Sequence, residues 1–331
     1  MKNLIIILTV ISSIFAQGIS GLSYFNYTRG DVDKGEDHGF YINRVYFTYK
    51  NSVSEKVSFK FQSDMQNKGE AFYMYIKNAK LDYVCKWDII LTLGMQGMNM
   101  FNVQEKTWGN RFLSQISMDE NGWSSSADLG IGVLKSFGMI SASILYTNGE
   151  GYKNQSSDNN EKVSVQAMYG ERNLSQTEGF NVGGVFSTLD YTNSTSEEKT
   201  AQVMGLFGGF SSSGFRGGFE YNLGTDLNLI VVDDDSETTG VDETVFYGSS
   251  SSLMSFYGTY DLSFVDGLSA IIKYNMIDTD VDTDDTETST LLAGLSYQCA
   301  EGLLVSPNML QTTIGDEDPT TAINLTFKFN F

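Results

Sequence analysis

At 331 residues the chain is long enough for two average domains or one large barrel, and 33 Gly, 22 Phe and 18 Tyr against 2 Pro favour strands over helices. A formal charge of −20 excludes nucleic acid as a natural partner, because phosphates would be repelled. A hydrophobic content of 41% is too low for a helical membrane protein, and Cys85 and Cys299, with no second Cys or His beside them, suit neither a disulfide scaffold nor a zinc site.

The chain starts with Lys2, an apolar run from Leu4 to Phe15, and Ala16-Gln17-Gly18. A positive start, a short apolar core and small residues after it describe a cleavable export signal, and the run is too short to span a bilayer as a helix. The expected organisation is a signal over 1–17 and one domain over 18–331.

From there one theme repeats: segments of about ten residues alternate apolar with polar and are separated by turn-formers. In 56–64, Val57, Phe59 and Phe61 interleave with Lys56, Ser58, Lys60, Gln62 and Asp64. A strand sends those two sets to opposite faces. Strands are expected at 20–29, 39–50, 56–64, 71–83, 88–97, 126–135, 139–147, 161–170, 179–189, 200–210, 214–223, 252–262, 268–277, 288–298, 303–311 and 320–331. Every second connection is then short. The alternate ones (30–38, 65–70, 98–125, 148–160, 190–199, 224–251, 278–287 and 312–319) carry 29 of the 41 acidic residues.

Short turns on one rim and long loops on the other imply an all-β fold: a single transmembrane antiparallel up-and-down β-barrel of about 16 strands. Its turns would be periplasmic and its acidic loops extracellular, which places it in a bacterial cell outer membrane. Lipid leaves backbone groups no partners except each other, which requires closure. A barrel of that size keeps an aqueous lumen.

Charged residues on the polar faces of strands are the candidate pore lining: Arg44, Lys50, Lys60, Asp64, Lys80, Asp82, Arg216, Glu220 and Lys273. Rings of charge inside a pore decide which ions enter. Long loops in compact folds are commonly functional, so Glu105, Lys106, Arg111, Asp119 and Glu120 of 98–125 are the constriction candidates, while Met100, Phe101 and Trp108 are expected to pack that loop on the wall. The acidic runs Asp278, Asp280, Asp282, Asp284, Asp285 and Asp233, Asp234, Asp235 lack the Gly and terminal Glu of an EF-hand. They are expected to hold calcium or magnesium at most loosely, bridging the loops to anionic lipid headgroups, with no dedicated metal site or cofactor. His38 is the only histidine and has no Ser beside it, so enzymatic chemistry is not expected.

The stretch Gly39 to Phe47 followed by Phe59 to Asp64 resembles the opening hairpins of the phosphate-selective porin family and its relatives, as does Ile76 to Tyr83 followed by Leu91 to Gly94. Glu105 to Arg111 and Ser126 to Gly130 are similar to that family's long third loop and the strand leaving it. Leu325 to Phe331 resembles the terminal signal that outer-membrane barrels present to their assembly machinery. The resemblance implies a homotrimer of 16-stranded barrels, each with the third loop folded inward. It does not extend to phosphate: anion-selective members carry lumen ladders of Arg and clusters of Lys, whereas the five Arg here (29, 44, 111, 172 and 216) are scattered.

The functional expectation is a porin, a passive diffusion channel for small hydrophilic solutes. A weak cation preference is expected from the overall charge and acidic mouths, in contact with outer-membrane lipid and lipopolysaccharide. The alternatives are a solute-specific channel, including one for anions, and a non-conducting structural or adhesive barrel.

Overall fold

A computed structural model describes residues 18–30, 38–68, 71–154, 160–192, 196–227, 230–233, 243–246 and 250–331. The export segment, most of the 30–38 loop, and Asp234 and Asp235 lie outside the described residues.

Sixteen strands form one closed barrel: β1 (Ile19–Arg29), β2 (His38–Ser52), β3 (Val57–Lys68), β4 (Ala71–Val84), β5 (Ile90–Gly97), β6 (Ala127–Phe137), β7 (Ile140–Thr147), β8 (Lys162–Gly170), β9 (Gly179–Thr192), β10 (Glu198–Ser212), β11 (Phe215–Thr225), β14 (Ser250–Asp261), β15 (Leu268–Asp278), β16 (Glu287–Ala300), β17 (Leu303–Ile314) and β18 (Thr320–Asn330). Two further strands, β12 (Ile230–Asp233) and β13 (Glu243–Phe246), pair with each other in a separate hairpin between β11 and β14. The alternation pattern alone gives 224–251 as a loop. There Ile230 pairs with Phe246, Val231 with Val245 and Val232 with Thr244. His38, expected in the acidic loop, opens β2 opposite Arg29, and Cys299, expected in a turn, falls in the last residues of β16.

Every barrel pairing is antiparallel, and the seam joins β1 to β18 from Leu22↔Asn330 to Arg29↔Ile323. The last residue completes it: the Gly21 amide donates to the Phe331 carbonyl at 3.0 Å and the Phe331 amide to the Gly21 carbonyl at 3.2 Å. The Phe331 ring lies over Gly21, where a Cβ would sit 2.1 Å from it and require the ring to move. Closure leaves no strand edge for lipid to solvate.

The side-chain alternation sorts the two faces. Along β8, Lys162, Ser164, Gln166 and Met168 point inward and are buried, while Val165 and Tyr169 are exposed on the outer wall. Phe25, Phe47, Ile76, Ile131, Leu206, Phe256, Ile272 and Ile323 continue that apolar outer belt around the barrel. A surface of this kind is stable against hydrocarbon and not against water.

The inner face is divided. On β1 to β5 it carries mostly polar and charged groups. From β8 to β16 it also carries Met168, Val185, Val203, Phe207, Leu253, Tyr257, Ile271 and Leu292, all buried and joined in one apolar cluster. Inward-facing apolar groups need a cover in a lumen that is otherwise wet.

Placing a charge on the outer belt tests which face meets lipid. Ile272→Arg is expected to cost about 2–4 kcal/mol near the midplane, read as a lower urea midpoint of the barrel refolded into lipid vesicles.

Candidate pore constriction

The cover is the loop between β5 and β6. β5 is short, so the chain leaves the wall at Gly97 and returns at Ala127. In between it forms α1 (Asn102–Trp108), packed on β10 and β11, and α2 (Ser117–Glu120), packed on β14. Met100, Phe101, Val103, Trp108, Ile116, Met118 and Trp123 join the apolar cluster of the wall, so the loop folds into the lumen as the family resemblance implied. The Trp108 ring meets Tyr257 edge-on at 5.6 Å, and its indole N–H donates to the Ser114 carbonyl at 2.9 Å. Gly109, at φ +70°, ends α1 in the left-handed conformation where a Cβ would lie 2.9 Å from the Arg216 guanidinium.

Polar anchors flank this contact. Asn110 donates to the Thr259 hydroxyl at 2.8 Å, and the Ser117 hydroxyl donates to the Asn275 side chain at 2.6 Å. Arg216 donates to the Trp108 carbonyl at 3.2 Å. Lys273 donates to the Ser114 hydroxyl at 3.1 Å, to the Gln115 carbonyl, and to Glu120 at 3.4 Å. Three expected pore-lining charges therefore have another role. Arg216, Glu220 and Lys273 do face inward, but the loop lies over them; Glu220 is fully buried and Lys273 nearly so. Strand alternation puts them on the inner face and cannot show that another segment covers them.

The far side of the loop reaches the opposite wall. Phe112 packs on Tyr24 at 6.4 Å, Tyr24 on Tyr46 at 6.3 Å, and Leu22, Leu113 and Leu304 fill in around them. The Gln115 side-chain oxygen accepts from Arg44 of β2 at 2.9 Å and from Arg111 of the loop at 3.1 Å. Arg111 also pairs with Glu105 and, at 2.5 Å, with Asp119. Burial alone would lower the Arg111 pKa, but Glu105 and Asp119 outweigh it and hold the guanidinium above its ordinary value.

Asp64 on β3 ties this wall together. It is fully buried and accepts from Arg44 at 2.7 Å, Gln66 at 2.7 Å and the Tyr152 hydroxyl at 2.6 Å, with Lys77 at 3.9 Å. Tyr152 comes from the 148–160 connection and accepts from Gln66 at 2.7 Å. Lys77 lies over the Tyr46 and Tyr152 rings at 5.0 and 5.3 Å.

Above this constriction is a cavity of about 550 Å3 lined by Arg44, Gln115, Asp119, Tyr152 and Lys162. Below it, toward the short turns, a cavity of about 650 Å3 takes in Lys50, Lys60, Lys77, Lys80, Asp82, Glu105 and Lys106, and a neighbouring one of about 400 Å3 adds Lys328. The register places Lys50 directly opposite Lys60, and Lys60 directly opposite Lys80. Like charges opposite each other destabilise a sheet. Lys80 is paired with Asp82 at 2.7 Å, while Lys60 donates to Gln62 at 3.1 Å. Across the cavity, Lys106 on α1 is held below its ordinary pKa, first by burial and then by Arg172.

The structure thus brings Arg44, Asp64, Glu105, Arg111 and Asp119 to one narrowing, and Lys60, Lys80, Asp82 and Lys106 to the cavity beneath it; Glu120 binds Lys273 beside the loop. Lys77, Gln115, Tyr152 and Lys328 were missed. Lys328 was legible on the polar face of the last strand, between Phe327 and Phe329. Lys77 was not, because a register shift opposite Gln62/Ser63 turns it inward beside Asn78. Outside the lumen, Asp278 and Asp280 accept hydrogen bonds from Thr286 and Thr283 within their own turn. Among the described residues no group of three or more His, Cys, Asp or Glu is arranged for a metal.

Two substitutions test these contacts. Trp108→Ala is expected to remove about 3–5 kcal/mol from loop docking, seen as larger and noisier single-channel currents. Asp64→Ala strands Arg44 and Lys77 and is expected to cost about 3–5 kcal/mol, seen as a lower urea midpoint; an unchanged midpoint would mean the buried cluster is not stabilising.

No protein-family model matches the sequence, and no curated protein matches it. Solved structures do. Salmonella typhi OmpF, in complex with daunomycin, aligns with a TM-score of 0.68 at 14% identity, over 94% of this chain and 97% of that one. The anion-selective porin from Comamonas acidovorans aligns at 0.67 and 9% identity, over 95% and 98%. The outer-membrane channel DcaP of Acinetobacter baumannii aligns at 0.64 and 12% identity, over 95% and 96%. At these identities the likeness is one of fold: the chain folds as a 16-stranded barrel of the kind found in bacterial outer-membrane porins.

Proposed function

We propose that the protein is an outer-membrane porin, a passive diffusion channel for small hydrophilic solutes, with a conduit narrowed by the β5–β6 loop and a preference for anions. The observation that carries this reading is the lining of the inner half. There Lys50, Lys60, Lys80, Lys106 and Lys328 line two adjoining cavities with only Asp82 and Glu105 as counter-charges, Lys77 beside them being held by Asp64. A lumen lined by one sign of charge concentrates the opposite ion.

The cation preference expected from the overall charge of −20 rests on the outer loops. Those charges raise cation concentration at the mouth. A permeating ion is sorted further in, where low-dielectric walls leave the lysines less screened than rim carboxylates in bulk solvent. The export signal, the homotrimer and recognition of the strand ending in Phe331 by barrel-assembly machinery belong to the same proposal, and the sequence resemblance supports them. Contact of the outer belt with lipid and lipopolysaccharide, and loose binding of divalent ions at the acidic loops, complete it.

The test is the reversal potential of the refolded protein in a planar bilayer under a KCl gradient. An anion-directed potential is expected, shifting toward cations in the triple variant Lys50→Gln, Lys60→Gln, Lys80→Gln. A cation-directed potential in the unmodified protein would overturn the preference and keep the channel. The anion preference is also expected to weaken as pH rises into the alkaline range, where Lys106 loses its proton earlier than an ordinary lysine.

A further inference from the structure

Six aromatic rings form one chain of contacts down the lumen side of β4, β2 and β1. Tyr73 stacks on Tyr75 at 6.5 Å, and Tyr75 meets Tyr152 edge-on at 6.1 Å. Lys77 bridges Tyr152 to Tyr46, which continues through Tyr24 to Phe112. The two ends differ. Tyr24, Tyr46 and Phe112 are buried where the loop docks. Tyr73 is half exposed, and Tyr75 and Tyr152 are partly exposed, on the extracellular side of the constriction. Exposed tyrosine rings offer a flat apolar face with a polar tip, a surface on which a ring-bearing solute can stack.

The polar groups along the exposed part identify that solute. Lys153 lies 6.0 Å from the Tyr75 ring and 5.9 Å from the Tyr152 ring. At the inner end Arg44, which also donates to Asp64 and Gln115, donates to the Tyr152 hydroxyl at 3.3 Å, and its side chain is 16% exposed. Asp64 is fully buried and Gln66 nearly so, each engaged with Tyr152, and Asp119 is paired with Arg111, which leaves Glu150 as the carboxylate of the adjoining cavity. Along the rings themselves the nearest charged groups are Lys153 and Arg44.

We propose that Tyr73, Tyr75 and Tyr152 form an entry lane for ring-bearing carboxylates, which stack on the tyrosines and deliver the carboxylate to Arg44 at the constriction. This deepens the channel reading and rests on it. Stacking supplies the face contact, and Arg44 adds a charge-assisted hydrogen bond through an N–H not already given to Asp64, Tyr152 or Gln115.

The test is block of the KCl current through single channels by sodium benzoate, sodium acetate or maltotriose, with each variant's own unblocked current as its reference. Benzoate is expected to block at a concentration about tenfold below acetate, the size of one to two aromatic contacts, and maltotriose to block weakly. Tyr75→Leu and Tyr152→Leu should each bring benzoate toward acetate, whereas Tyr152→Phe, which keeps the ring, should retain most of the difference. Equal block by benzoate and acetate in an open channel would overturn the lane and leave the channel reading intact. Stronger block by maltotriose would replace carboxylates with sugars. Folded protein without any current would overturn both.

Discussion

The apolar half of the inner wall is the constraint on which the rest of the lumen depends. Met168, Val185, Val203, Phe207, Leu253, Ile271 and Leu292 point into a barrel whose interior is otherwise wet. Removing such side chains from water contributes about 1.5–3 kcal/mol each. The β5–β6 loop supplies the cover through Trp108, Ile116, Met118 and Trp123. Once it lies there, the cavities beneath the loop are lined by the other half of the wall, β1 to β4 with β18. The wall covered by the loop and the wall lining the cavities are thus separated by hydrophobic burial, before any charge is considered.

Charge then works within that geometry. Asp64 would be costly as a lone buried carboxylate, but Arg44, Lys77, Gln66 and Tyr152 surround it, and the resulting knot joins β2, β3, β4 and the 148–160 connection. Gln115 extends the knot to the loop tip, where Arg111 is neutralised by Glu105 and Asp119. The constriction is therefore close to balanced, while the cavity below it is cationic. The protein is acidic overall because its outer loops are acidic. At physiological salt a rim charge is screened over about 8 Å, so total charge is a poor guide to what an ion meets deeper in the lumen.

The fold was legible because a membrane barrel writes its geometry into the sequence locally. Each strand has one lipid face and one inner face, so Val57, Phe59 and Phe61 against Ser58, Lys60 and Gln62 is readable without knowing what pairs with what. Arg44, Lys60, Asp64, Lys80 and Asp82 were recognised as inward-facing on that basis. The same rule misassigned Glu220 and Lys273 to the open pore, because it reports the face and says nothing of what covers it. It also missed Lys77, where a bulge breaks the alternation.

What the sequence determined by itself was a barrel of about 16 strands, the order of short turns and long acidic loops, and the inner or outer face of nearly every barrel-strand residue. Those properties depend on a period of two residues and on neighbours in the chain. Tertiary structure alone decided the path of residues 98–126, the burial of Glu220 and Lys273, the meeting of Arg44 with Gln115, and the row of Lys50, Lys60 and Lys80. These depend on the register between strands and on which apolar surface a loop can cover, and both are set only when the barrel has closed.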